Sequence, residues 1–170
     1  MNNLIRLSDG QALIVADDPW QLYDENLVTD AALILPLQQW RERQPAAVLA
    51  GQAISRDALL LQANDDPETL QPWLASLPLI AIDFPSFRDG RGYSQAYLLR
   101  TRLGWTGELR AVGDVLRDQL SHMRQCGFDS FAVREDKSAE DALKGLAGLS
   151  VLYGRSAIEP RPLFRRGRSS

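Results

Sequence analysis

A chain of 170 residues, 45% hydrophobic and 24% charged, has the size and balance of a single folded domain with its own core, which excludes a disordered or fibrous protein. A net charge of −3 is too close to neutral for bulk attraction to nucleic acid. No apolar run approaches the ~18–20 residues a membrane span requires.

The lone Cys126 permits no disulfide within the chain, and the N-terminal MNNLIRLSDG lacks the basic start and apolar run of a signal peptide. A cytoplasmic location is the expectation. The basic residues are 17 Arg and 2 Lys, which favours planar, bidentate anion binders over point charges.

In chain order, Leu4 to Leu7 and Gln11 to Val15 are apolar-rich runs around Ser8-Asp9-Gly10, and Asp-Gly between such runs predicts a β-hairpin. Residues Asp17 to Asp30 are acidic and irregular. A rhythm then begins. Ala32 to Leu35 predicts a strand, followed by a helix over Leu37 to Arg43. Ala58 to Gln62 is the second run, and Asp66-Pro67 starts a helix, with Asp as N-cap and Pro at the first position. Leu79 to Ile82 is the third, followed by a helix over Ser94 to Leu103 that Gly104 ends. Leu109 to Val112 is the fourth, with Asp114 as cap of a helix that Gly127 ends. Phe131 to Val133 is the fifth, before a helix capped by Ser138.

Strand and helix alternating over short connections predict βαβ units and a parallel sheet. The fold expected is one α/β domain over residues 1–160 of about five βα units, open or partial-barrel-like, with the hairpin appended. Residues 161–170 read as a flexible basic tail.

Parallel α/β folds bind ligands at the carboxyl ends of their strands. The longest and most polar of these strand ends is DFPSFRDGRGYSQA, Asp83 to Ala96, on the central run. It has the parts of an anion cradle. Gly90 and Gly92 allow close backbone approach, and Ser94 caps the next helix, whose first N–H groups carry partial positive charge. Arg88 and Arg91 offer bidentate grips, and Tyr93 a hydroxyl. The competing reading is a structural turn in which Asp89 and Arg91 pair while Asp83 caps the strand. Arg110, inside an apolar strand, either belongs to this strand-end ligand site or forms a structural ion pair, for which Asp83 on the neighbouring strand is the candidate partner. Asp114 is either a helix cap or part of the same ligand site.

Other chemistry is less well supported. Gly90-Arg91-Gly92 continues with Gln95 where a dinucleotide fingerprint needs a third Gly or Ala, and no phosphate-binding P-loop occurs. His122 and Cys126 share a helix face four residues apart, yet one Cys and one His make neither a zinc site nor a four-cysteine cluster. Asp65, Asp83, Asp89 and Asp114 leave a carboxylate-bound Mg²⁺ open. No cofactor is assigned.

The stretch IAIDFPSFRDGRGYSQAYLLR, followed by GELRAVGDVLRDQLSHMRQCGFDSF, resembles the bacterial domain-of-unknown-function family 934. Its members are often described as probable oxidoreductases of sulfite reduction. The resemblance is densest from Leu79 to Val133. It implies a gene beside an assimilatory sulfite/nitrite reductase and a role in making sulfide for cysteine synthesis. It carries no assigned catalytic residue. Two functions follow as expectations. One is an accessory protein that binds the reductase or an anionic small molecule. The other is an enzyme with its active site on the same loop, where arginines hold an oxyanion and a carboxylate or Tyr93 moves a proton. Neither nucleic acid nor a membrane is an expected partner.

Overall fold

The computed structural model describes residues 1–26, 31–146 and 148–154, the last four by backbone alone. Among the described residues, nine strands form one sheet: β1 (Leu4–Ser8), β2 (Gln11–Val15), β3 (Gln21–Leu22), β4 (Leu33–Pro36), β5 (Ala58–Leu61), β6 (Leu79–Phe84), β7 (Glu108–Gly113), β8 (Ser130–Ala132) and β9 (Ser150–Gly154). Their spatial order is β3-β4-β5-β6-β7-β8-β1-β2-β9. Every pairing from β3 to β8 is parallel; β1 is antiparallel to both β8 and β2, and β2 is parallel to β9. The sheet is open, with β3 and β9 at its edges.

The five expected βα units are present, and β6 lies at the middle of the parallel block. The hairpin is present too. Asp9 and Gly10 have φ of 49° and 78°, the left-handed pair that a two-residue hairpin turn of the I′ kind demands. The hairpin is not an appendage but part of the sheet: Leu4 pairs with Ala132, and Gln11 with Ser150. Strand β9 was not foreseen, and the basic tail over 161–170 lies outside the described residues.

The helices are α1 (Leu37–Arg43), α2 (Ala46–Leu49), α3 (Arg91–Thr101), α4 (Leu120–Gln125) and α5 (Ala139–Ala142), with a 3₁₀ segment over Pro67–Ser76. Asp66 caps that segment as expected, its carboxylate accepting from the Glu68 N–H at 2.9 Å. Ser138 does the same for α5, accepting from Asp141 N–H at 3.2 Å. Helix α3 starts three residues before the expected Ser94. Its buried residues Gly92, Gln95, Ala96 and Leu99 recur at helical spacing, so the apolar stripe begins at the second glycine. Ser94 is therefore an exposed residue inside the helix and caps nothing.

The described helices pack on one face of the sheet. The larger core joins Ile80, Ile82 and Phe84 of β6 and their counterparts on neighbouring strands to Trp40, Leu70, Ala96, Leu99, Leu120 and Met123 from the helical layer. The opposite face buries a smaller cluster, Ile34, Ala58, Leu79, Ala81 and Val112, with Trp20 rather than a helix packed against it. Successive right-handed crossovers that advance in one direction place all helices on one side, which explains this asymmetry. Strand β6 is buried on both faces from Leu79 to Ile82, and that stretch therefore reads as an unbroken apolar run.

Candidate functional site

Strand β6 delivers the chain to the carboxyl edge of the sheet at Phe84. From there to α3 the backbone is held by side chains from several elements. The Phe87 N–H donates to Asp114 at 2.7 Å, and its carbonyl accepts from Gln119 Nε2 at 2.7 Å. The Arg88 N–H donates to the Ser86 hydroxyl at 3.2 Å, and the Arg91 N–H to Asp89 at 3.0 Å. The loop is thus fixed from both sides, while the Phe87 ring stays 45% exposed.

The two loop arginines differ. Arg91 donates from Nε and Nη2 to both Asp89 oxygens, and from Nη1 to Asn64 at 2.6 Å. The guanidinium and N–H of Arg91 hold the Asp89 carboxyl down to about 2. This is the turn-holding pair of the structural reading. Arg88 is exposed and has no carboxylate partner among the described residues; its guanidinium lies 5.4 Å from the Phe87 ring centroid.

The glycines also differ. A Cβ on Gly92 would fall 2.6 Å and 2.7 Å from Phe84 ring atoms, so this glycine lets α3 sit against β6. A Cβ on Gly90 would meet nothing within 4 Å. Tyr93 is used in packing, its ring lying 5.1 Å from Phe84 and 4.3 Å from His122 between centroids.

Arg110 is fully buried, but its partner is not Asp83. It donates to Asp18 at 2.7 and 3.0 Å, to Glu108 at 2.7 Å and to the Ser130 hydroxyl at 3.2 Å. Arg6 contacts the same Asp18 at 3.1 Å. Burial alone would raise the Glu108 carboxyl, yet Arg110 and Arg6 hold it near 2. Side chains on alternate residues of a strand share a face, so Glu108 and Arg110 meet, and Asp18 reaches them from the irregular segment after β2. That segment gave no sequence signal of where it would pack.

Asp114 does not cap a helix either. It accepts from the Phe87 N–H and, at 2.6 Å, from Arg134, which also holds Asp136 at 2.7 Å. Sequence reading named neither Gln119 nor Arg134 in these roles. Their partners lie 32 and 20 residues away, which local pattern cannot reveal.

Asp83 stands apart. It is half-buried near the end of β6, on the helix-free face beside Val112, and makes no hydrogen bond or ion pair among the described residues. Its Oδ1 is 2.6 Å from where a Gly113 Cβ would be, and Gly113 has φ of 92°. Burial, and secondarily the Asp89 charge, raise its pKa.

The structure thus gathers Arg88, Asp89, Gly90 and Arg91 at one edge of the loop and Asp114 at the other. Arg110 lies within the core of the sheet, and Gly92 and Tyr93 face the helical layer. Cys126 is half-buried, and burial pushes its thiol up, away from the reactive thiolate. Among the described residues, no three of His, Cys, Asp and Glu come together as a metal ion would need. No described helix is long and apolar enough to cross a membrane.

An α/β fold whose central strand ends in a fixed Asp/Arg/Gly loop sets the architecture. Residues 58–164, more than half of the chain, match the family model described as "Bacterial protein of unknown function (DUF934)", and the chain belongs to that family. The match starts at β5 and includes the whole loop. No curated protein and no solved structure matches the chain.

Proposed function

We propose that this protein is an accessory factor of assimilatory sulfite/nitrite reduction that docks on the reductase through the loop after β6. The pathway rests on the sequence resemblance; the mode of action rests on the loop. The observation that carries it is the contrast between Phe87–Arg88 and the residues around them. The backbone at Phe87 and Arg88 and the Asp89–Arg91 pair are tied to the scaffold, while the Phe87 ring and a guanidinium with no described carboxylate partner face solvent. A rigid backbone presenting an aromatic and an Arg is the composition of an interface anchor, because little conformational freedom is lost on association. Arg88 is also the loop's uncommitted anion donor, so the partner brings it a carboxylate or another oxyanion.

The test is titration of purified assimilatory sulfite reductase with the wild-type chain and with Phe87→Ala/Arg88→Ala. Binding by the wild type and at least about tenfold weaker binding by the variant are expected, the loss typical of removing an interface anchor. Equal binding by both, or no binding by either, removes the proposal.

Asp83 favours a second reading, an enzyme that handles an oxyanion or transfers electrons with this loop as its active site. A half-buried carboxyl with no partner and a raised pKa is suited to carry a proton. Turnover lost in Asp83→Asn with the Phe87 and Arg88 variants active would favour that reading.

A further inference from the structure

A cleft of about 890 Å³ opens on the helix-free face. Strands β6 and β7 pair along six residues, but β7 and β8 pair only at Arg110/Ser130 and Ala111/Phe131. Beyond that point Val112 and Gly113 line one side of the cleft and Ala132 to Asp136 the other. The segment from Ala16 to Leu22 lines the cleft as well. This is also where the strand order jumps from β8 to β1 and the strand direction reverses. Ligands of open α/β sheets bind outside the carboxyl ends of the parallel strands, here those of β7 and β8, and the volume is that of a small-molecule site.

The chemistry of the walls is specific. Trp20 and Ala132 supply apolar surface. The carboxylates divide into two kinds. Asp18 is neutralised by Arg110 and Arg6 and by the Met1 ammonium, itself a lining group of the cleft, and Asp136 by Arg134. Asp17 and Glu135 are exposed at the rim and have no hydrogen-bond or ion-pair partner among the described residues. Arg134, the cleft's guanidinium, is committed to Asp114 and Asp136. A ligand therefore meets apolar and aromatic surface with two uncompensated negative charges at its edge. An anion would face repulsion, and a neutral molecule would leave the charges unused.

We infer that this cleft binds a compact organic amine, an ammonium group carried on a small apolar or aromatic body. The body lies along Trp20 and Ala132, and the ammonium donates charged hydrogen bonds to the Asp17 and Glu135 carboxylates. The site is independent of the docking loop, and neither needs the other to be correct.

The experiment uses the full chain and three probes of nearly one shape: phenethylamine, phenethyl alcohol and phenylacetate. Calorimetry gives affinity, and the indole N–H resonance of Trp20 gives location. Phenethylamine is expected to shift the Trp20 signal and to bind about tenfold or more tighter than the alcohol, with phenylacetate weakest. In Asp17→Asn/Glu135→Gln the amine should fall to the level of the alcohol. Ala132→Phe, which fills the cleft, should abolish all three. Because Ala132 is on a strand and its enlargement can disturb folding, the exposed Asp17/Glu135 pair is the deciding variant. Equal binding of the three probes, an undiminished amine affinity in that variant, or no movement of Trp20 with any probe overturns the inference.

Discussion

Asp89 grips Arg91, two residues further on, with both carboxylate oxygens, and the same guanidinium bridges to Asn64 beyond β5. The turn is therefore fixed by a charge pair whose two partners are mutually satisfied. Asp89 should titrate at about 2, and Arg91→Ala should return it toward the ordinary Asp range near 4. Because the folded-state value is depressed, the contribution of this pair is present above the unfolded value and is lost as pH falls through about 2. An NMR pH titration of the two proteins reads both values.

Gly92→Ala and Gly90→Ala should part company. The first drives a methyl group into the Phe84 ring and within 3.1 Å of Ile82, an overpacking that costs about 1–3 kcal/mol. The second places it in open space at φ of −90° and should be neutral or slightly stabilising. Denaturant melts of the two variants make the comparison, and equal losses would refute the packing role of Gly92.

Removing Arg110 leaves the fully buried Asp18 carboxylate with far less compensation. Arg110→Ala should destabilise by about 3–5 kcal/mol, the cost typical of breaking a buried ion pair from one side. Adding Asp18→Asn should recover part of that loss. Unfolding curves for both singles and the double variant give the coupling, and strict additivity would contradict the shared network.

Asp83 and Asp129 both have raised pKa values. Burial leads in each case, and Asp129 reaches about 6. A carboxyl that holds its proton more tightly when folded contributes stability that is full below the unfolded value near 4. That stability is lost as pH rises through the folded value. Asp83→Asn should therefore flatten the fall in unfolding free energy between pH 4 and neutrality. Asp129→Asn should do so less than its value suggests, because its side chain is 40% exposed and lies 3.5 Å from Arg100.

Phe87→Ala and Arg88→Ala should leave thermal stability within about 0.5 kcal/mol of wild type, as expected for exposed side chains whose described ring contact is with each other. A larger drop in either melting curve would mean that the tip is part of the scaffold and would count against its availability to a partner.

How much of this was legible depended on the range of the interaction. The five βα units follow from apolar runs, Asp66-Pro67 and Ser138, because strand period and helix caps are encoded within a few residues. The Asp89–Arg91 pair, spanning two residues, was visible as an alternative for the same reason. The start of α3 was misplaced because Ser94 is the usual capping type, whereas the burial stripe at Gly92, Gln95, Ala96 and Leu99 governs the helix. The partner of Arg110 was misassigned because Asp18 lies 92 residues away in a segment with no regular pattern. The contrast between Gly90 and Gly92 was hidden, since only the Phe84 ring distinguishes them.

The register of the hairpin has a consequence for how the chain is assembled during synthesis. Strands β1 and β2 leave the ribosome before the βα units, yet their sheet neighbours β8 and β9 are made after them, with Leu4 waiting for Ala132 and Gln11 for Ser150. The βα units between them can consolidate as they emerge, while the hairpin remains a two-stranded ribbon, a form only marginally stable in water. Completion of the sheet is thus a late, long-range closure, and substitutions at the β1–β8 seam should slow maturation of the nascent chain more than equivalent changes between β5 and β6.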